Sequence, residues 1–200
     1  MSEALDLAAQ QARDKWNARY HESTSTPQAA LVLREYTHLL PSTGCALDLA
    51  CGLGGNALLL AAHGLVTYAW DIAEVAISRL QAAAQQHHVS IQTEVRDVAT
   101  APPPPDSFEV IVVSRFLERA IAPALIQALR PGGLLFYQTF TRVSVGEVRG
   151  PRNPEYLLAP QELLTLFRPL ALVIYREEGQ LGDHARGVRN EALFVGQKHD

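Results

Sequence analysis

The spacing of apolar positions divides the chain into two leading helices, an alternating run of strands and helices, and a closing pair of strands. Residues 3–20 are rich in alanine, glutamine and charge and lack Gly and Pro, which predicts a helix of modest amphipathicity. The polar segment His21–Thr26 breaks it. Thr26 followed by Pro27 has the form of an N-cap and first helical residue, and Ala30, Leu33, Tyr36 and Leu40 recur at helical spacing until Pro41. From Cys45 the period changes. CALDLA predicts a short strand, CGLGGN a glycine turn, and ALLLAAHG a helix ending on a glycine. The cycle repeats with LVTYAWD as a strand, Ala76, Leu80, Ala83 and Ala84 as a helix face to about His88, and SIQTEVRD as a third strand. APPPPD reads as a rigid surface loop. FEVIVVS is a continuous run of the kind buried on both faces, and Leu117, Ile121, Leu125, Ala128 and Leu129 follow at helical spacing until Arg130-Pro131-Gly132-Gly133 stops them.

LLFYQTF is the fifth strand, so the alternation implies a parallel sheet with helices on both faces and right-handed crossovers. The order then changes. An aperiodic stretch from Arg142 to Pro154 precedes a helix near Pro160–Phe167, and two strands, PLALVIYRE and NEALFVGQ, follow with only a loop between them. They are predicted to pair as an antiparallel hairpin at the sheet edge, which is not how a nucleotide-binding sheet of purely parallel strands ends.

Two hundred residues fit one α/β domain, and 48% hydrophobic with 19% charged residues describes a globular chain. The net charge of −4 and the scatter of the cations, of which only Lys15 and Lys198 are lysine, argue against a nucleic-acid partner. The longest apolar runs are too short to span a membrane, and Glu3 and Asp6 stand where a signal peptide needs positive charge. Cys45 and Cys51 form no C-x-x-C or disulfide framework, which fits a reducing cytoplasm and no metal site.

Candidate chemistry concentrates in ALDLACGLGGNA, residues 46–57. Gly52, Gly54 and Ala57 satisfy G-x-G-x-x-A, and Asp71 closes the next strand 19 residues after Gly52, so a dinucleotide fingerprint is formally met. Its physics serves several nucleosides: glycines admit a ligand to the backbone at a helix start, and the acid accepts hydrogen bonds from ribose hydroxyls. Asp48 separates the readings. An acid inside the first strand costs desolvation, and it repels a pyrophosphate but favours the sulfonium and ammonium of S-adenosylmethionine. The structural alternative is an acid hydrogen-bonded to loop amides. Asp97, at the end of the third strand, supplies a second acid where an adenine amino group would lie, with loop capping as its alternative.

The ordered set D-L-A-C-G-L-G-G-N, an acid closing strand two, R-D-V, and a strand–helix unit ending in L-R-P-G-G resembles the class I S-adenosylmethionine-dependent methyltransferases. More narrowly, Trp16 to Tyr20, the D-x-A-C-G turn and Asn153 to Leu163 resemble the small bacterial methyltransferases related to tellurite resistance. The resemblance implies a Rossmann-like, seven-stranded, mostly parallel sheet with a terminal antiparallel hairpin. It divides the single domain into a helical lid (1–41), a cofactor-binding core (42–141), and an acceptor loop with hairpin (142–200).

It also implies S-adenosylmethionine as cofactor, with S-adenosylhomocysteine as product. Asp48, Ala50, Gly52, Gly54 and Asn56 would surround the methionine moiety, with Asp71 on the ribose, Ile72 against the adenine, and Asp97 and Val98 at its rim. Ser114 and Arg115 would face the sulfonium and the acceptor. Ala50 departs from the family's first glycine, and its methyl is tolerable at negative φ. Trp16 and Tyr20 would fold over the cofactor as a lid or serve as plain helix packing.

Methyl transfer from a sulfonium is an in-line substitution, so alignment and exclusion of water supply much of the rate and a base is optional. No N/D-P-P-Y/F follows strand four, where enzymes that methylate nucleic-acid amines carry it; SRFLER stands there instead. Arg115, Arg119, Gln138, Thr139, Arg142 and Tyr156 lie at or beyond the ends of strands four and five, the edge where ligands of open α/β sheets bind. The arginines suit an anionic acceptor or are surface charges. His87 and His88 read as a solvated helix end, and Cys51 as a packing residue. The expected function is methylation of a small molecule, such as a thiol, a metalloid oxyanion or another small anion. The alternatives are an NAD(P)-dependent oxidoreductase and a non-catalytic binding domain. The oxidoreductase reading is opposed by Asp48 and by the lack of a Y-x-x-x-K pair.

Overall fold

Strands β1 (Cys45–Leu49), β2 (Val66–Asp71), β3 (Ile91–Val95), β4 (Phe108–Ser114), β5 (Leu129–Phe140), β6 (Ala171–Arg176) and β7 (Glu191–Gln197) form one sheet in the order β3-β2-β1-β4-β5-β7-β6. The computed structural model describes residues 2–146 and 150–199, with side chains from residue 7 onward; residues 147–149 of the aperiodic stretch lie outside the described residues. The first five strands are parallel, and β7 runs antiparallel between β5 and β6. The closing strands therefore do form a hairpin, with β6 at the edge.

The helices are α1 (Ser2–Glu22), α2 (Leu31–Glu35), α3 (Gly55–Ala62), α4 (Glu74–Gln86), α5 (Ala122–Ala128) and α6 (Glu162–Leu166). None of the described helices is long and apolar enough to cross a membrane. The unbroken apolar run of β4 is explained by its two buried faces. Ile111 and Val113 pack with Leu47, Leu49, Leu125 of α5 and Phe167. Val110 and Val112 pack with Ala46, Leu60 of α3 and Val32 and Leu33 of α2. Alternate side chains of one strand thus feed two cores, so polar alternation disappears from the sequence.

Two local expectations fail for tertiary reasons. The helix expected from Pro27 to Leu40 shrinks to α2 and a separate 3-10 turn at Thr37–Leu39, and Ala30 is extended at φ −58°, ψ 149°. The preceding residues cross the start of α3 as a strap. The Ala30 amide donates to Asn56 Oδ1 (2.8 Å), and the Val32 amide donates to Gln138 Oε1 (2.9 Å). Those bonds replace the local cap that Thr26 and Pro27 would have made. Arg130–Gly133, expected only to stop a helix, is the first part of β5, where the pairing jumps from Phe108↔Leu129 to Val110↔Leu134.

Candidate functional site

The carboxyl ends of β1, β2 and β4 converge on the glycine turn. After β1 the Cys51 amide donates to the Trp70 carbonyl (3.0 Å), and the Gly54 amide to the Cys51 carbonyl (2.9 Å), which curls the backbone tightly before α3. Ala50 and Gly52 are both left-handed at φ 53°. The condition of a negative φ for Ala50 is therefore not met, and its methyl is accepted at a cost of about 1–2 kcal/mol.

Asp48 is wholly buried beneath this turn. Its Oδ2 accepts the Ala57 amide (3.0 Å) and its Oδ1 accepts Asn56 Nδ2 (3.1 Å). The N-cap of α3 is Gly54, which has no side chain to offer, so a carboxylate from the neighbouring strand satisfies an orphan amide of the helix start. Burial pushes the Asp48 carboxyl up to about 7, against the pull of those two hydrogen bonds. Asn56 is the hub of this corner: its Nδ2 also donates to Ser114 Oγ (3.0 Å), while its Oδ1 holds the strap at Ala30.

Above the same helix start lies backbone. A Cβ placed on Gly55 would stand 2.3 Å from the carbonyl carbon and oxygen of Gln28, so the strap passes over the end of α3 at a distance only glycine permits. The N-terminus of α3 is thus closed twice, by Asp48 and by the strap.

Asp71 takes the Gly52 amide on Oδ2 (2.8 Å) and the Ala73 amide on Oδ1 (2.9 Å), which aims the carboxylate at the turn and leaves each oxygen a further lone pair. Burial raises its carboxyl and outweighs those bonds. Among the described residues, the groups that hydrogen-bond the two acids are neutral: Asn56 and the amides of Gly52, Ala57 and Ala73. Two buried acids with neutral partners suit a ligand that brings positive charge and vicinal hydroxyls. Burial beside both acids also pushes the Cys51 thiol up, away from the thiolate a nucleophile needs.

At the end of β3, Asp97 Oδ1 accepts the Ala99 amide (3.0 Å), which is the loop-capping geometry, and Val98 is buried beside it. Ile72 follows Asp71 and is half-buried. Sequence reasoning passed over Arg96. Its guanidinium lies 4.0 Å from the Trp70 ring centroid and donates to the carbonyls of Ala101 (2.7 Å) and Pro102 (3.0 Å), fixing the loop that carries Asp97.

The acceptor-side candidates separate into two groups. Arg119 is spent on the fold: Nε and Nη2 grip Glu162, and Nη1 and Nη2 donate to the carbonyls of Glu155 (2.6 Å) and Leu157 (3.1 Å). The late N-P-E-Y-L-L-A-P-Q-E motif is the segment that this one guanidinium folds. Gln138 is likewise committed, accepting from Val32 and donating to Glu191, and Thr139 is buried inside β5 opposite Ala192.

Arg115, Arg142 and Tyr156 remain exposed. Arg115 is left-handed (φ 53°); its Nε donates to Glu191 Oε1 (3.0 Å), while its side chain keeps 66% exposure. The β5 loop beside it is bracketed by Asn190, whose side chain accepts the Val145 amide (2.6 Å) and donates to the Val145 carbonyl (3.0 Å).

Trp16 and Tyr20 stack on each other at 5.7 Å, and the Tyr20 hydroxyl is 2.8 Å from where a Cβ on Gly52 would lie. The Tyr20 end of α1 thus lies against the turn. Burial raises the Tyr20 phenol, as does the nearby Asp71, so it stays neutral. Lys15 sits 5.8 Å from the Trp16 ring and 5.9 Å from the Tyr156 ring, which brings α1 near the late loop. Two surface hollows of about 280 and 260 Å³ lie at the opposite, amino-terminal edge of the sheet, by Glu109 and Gly132 and by Val66 and Gln92.

Residues 46–133 match the family model described as a methyltransferase domain. No curated protein matches the chain. Among solved structures, the one reported under "Conversion of a Disulfide Bond into a Thioacetal Group during Echinomycin Biosynthesis" has a TM-score of 0.69 at 21% identity, covering 94% of this chain and 92% of that one. TehB from Haemophilus influenzae has a TM-score of 0.68 at 23% identity over 93% of this chain and 66% of that one. A SAM dependent methyltransferase from Aquifex aeolicus has a TM-score of 0.67 at 13% identity, covering 92% and 97%. At these identities the likeness is one of fold.

Proposed function

We propose, on the premise that residues 46–133 are a methyltransferase domain of the class I fold, that this protein transfers the methyl group of S-adenosylmethionine to a small-molecule acceptor. The observation that carries the reading is the closed start of α3. In a dinucleotide site that helix end holds a pyrophosphate on free amides. Here Asp48 takes the Ala57 amide and the strap covers Gly55, so an anion would meet a carboxylate and backbone. A cation with a ribose diol meets two buried acids instead.

The cofactor supplies an electrophilic methyl on a sulfonium. The protein's part is placement. Asp71, held by Gly52 and Ala73, accepts the ribose hydroxyls; Asp48 and Asn56 fix the turn beside the charged methionine end; Ile72 and Val98 offer apolar surface to the adenine. Tyr20 and Trp16 cover the turn and keep water from it. Thr139, Gln138 and Arg119 serve the fold on the acceptor side, so contact with the acceptor falls to Ser114, Arg115, Arg142 and Tyr156. The outward edge of Arg115 favours an anionic or thiolate acceptor, for which no base is required.

The test is a transfer screen with methyl-labelled S-adenosylmethionine over thiols, tellurite, selenite and small acids. Transfer that disappears in Asp71→Ala supports the reading. Cofactor binding with no transfer to any acceptor favours the non-catalytic binding domain.

A further inference from the structure

Ser114 ends β4 and Arg115 follows it, yet their side chains part. Ser114 Oγ accepts from Asn56 Nδ2 (3.0 Å), beside the glycine turn. Arg115 reaches the other way, and its Nε donates to Oε1 of Glu191 (3.0 Å), the first residue of β7. In the sheet order β7 stands three strands from β1, a span of about 14 Å from the usual strand spacing. The guanidinium is therefore drawn away from the turn that Asp48 and Asn56 shape.

The acid that draws it is itself braced. The Glu191 side chain is only 13% exposed, and its Oε2 accepts from Nε2 of Gln138, which is buried in β5. Gln138 Oε1 in turn accepts the Val32 amide (2.9 Å), and the Gln138 carbonyl accepts the Arg115 amide (2.7 Å). The Arg115 backbone is left-handed (φ 53°), a conformation that an arginine keeps only where its surroundings impose it. An ion pair with one exposed partner contributes little to stability, whereas burying Gln138 and Glu191 costs desolvation. Stability alone does not account for the arrangement. Orientation does: Glu191 takes Nε, and among the described residues Nη1 and Nη2 have no partner, so the guanidinium presents its two terminal nitrogens as a fixed fork.

Resting on the methyl-transfer reading above, we propose that Glu191 is a positioning residue that holds Arg115 as the receptor for a carboxylate on the acceptor, remote from the atom that is methylated. The carboxylate matches the two-nitrogen edge and takes no part in bond making. At the acceptor's other end a thiolate lone pair forms the bond to the methyl carbon, while the carbon–sulfonium pair returns to sulfur and releases S-adenosylhomocysteine. The cofactor carries a carboxylate too, at its methionine end. The reach of Arg115 toward β7 favours the acceptor's.

The test pairs mercaptoacetate with mercaptoethanol and mercaptopropionate with mercaptopropanol in transfer from methyl-labelled S-adenosylmethionine, with calorimetric affinity for S-adenosylhomocysteine alongside. The native chain is expected to prefer the acid of each pair. Arg115→Ala lowers the acid-to-alcohol ratio of kcat/KM about tenfold and Glu191→Ala about fivefold, the loss falling in KM and not in kcat. Arg115→Lys keeps the charge without the fork and recovers only part of the ratio. A ratio within about twofold of native in both alanine variants overturns the proposal, because a merely structural role moves acid and alcohol alike. So does a fall in S-adenosylhomocysteine affinity in Arg115→Ala as large as the rise in KM, which would assign the fork to the cofactor's own carboxylate. A native chain that binds S-adenosylhomocysteine and methylates other acceptors but neither acid overturns the carboxylate receptor and leaves methyl transfer standing. A native chain that does not bind S-adenosylhomocysteine overturns the cofactor reading itself.

Discussion

Gly55→Ala sets two physical effects against each other, and the structure decides the sign. Gly55 is the first residue of α3, where replacing glycine by alanine ordinarily gains about 1 kcal/mol of helix propensity. Here the new methyl would stand 2.3 Å from the Gln28 carbonyl and 2.8 Å from the Ala29 nitrogen, backbone atoms with no rotamer to change. The strap must lift. Overpacking of this kind costs about 2 kcal/mol, and losing the Ala30–Asn56 hydrogen bond adds about 1 kcal/mol. The net is a loss of about 2 kcal/mol. With a urea m-value of about 2 kcal/mol/M, the midpoint falls by about 1 M at unchanged m. Affinity for S-adenosylhomocysteine falls with it, because Asn56 loses the bond that orients its amide toward Asp48 and Ser114. A variant as stable as native, or more stable, would refute the strap's tight passage over α3 and with it the argument that excludes a pyrophosphate.

Ala50→Gly relieves a left-handed alanine worth about 1–2 kcal/mol against about 0.4–1 kcal/mol of added unfolded-chain freedom, so thermal denaturation should show a net gain of about 0.5–1 kcal/mol. Arg119→Lys keeps the charge but not the fork: hydrogen exchange should rise across residues 154–162 while S-adenosylhomocysteine affinity stays within about threefold. Asp48 has a folded pKa raised from the usual carboxylate range to about 7, so the folded chain holds its proton more tightly and this group's contribution to stability falls as pH rises through that window. Ligand binding runs the other way. A cation favours the ionised carboxylate, so calorimetric affinity for S-adenosylmethionine should climb from about pH 5.5 and level off above about pH 7.5, and Asp48→Asn should flatten the profile.

The fold was readable because its signals are periodic. The run Phe108–Ser114 appears in the structure with the limits its apolar pattern implies, and the loop between the last two strands announced their antiparallel pairing. The same signals misjudged residues 27–40, where helical spacing lost to bonds from Asn56 and Gln138, residues 26 and 106 positions away. Asp48 and Asp71 were visible as acids in apolar strands. An acid in an apolar strand signals either a cationic ligand or bonds to loop amides, and Asp48 makes such bonds at the start of α3. Asn17, Arg79, Arg96 and Glu191 were passed over because a side chain that caps a distant backbone leaves no spacing in the sequence. One trace was available: Gly55 is a glycine that G-x-G-x-x-A does not require, and an extra glycine marks a close backbone approach.

The central claim is that the glycine turn holds a cationic nucleoside and not a pyrophosphate. Calorimetric titration of the native chain with S-adenosylmethionine, S-adenosylhomocysteine and NADH, repeated in Asp71→Ala, tests it directly. The account predicts saturable binding of the first two, its loss in the variant, and no heat with NADH. Binding of NADH, or no binding of either adenosyl compound at millimolar concentration, would contradict it.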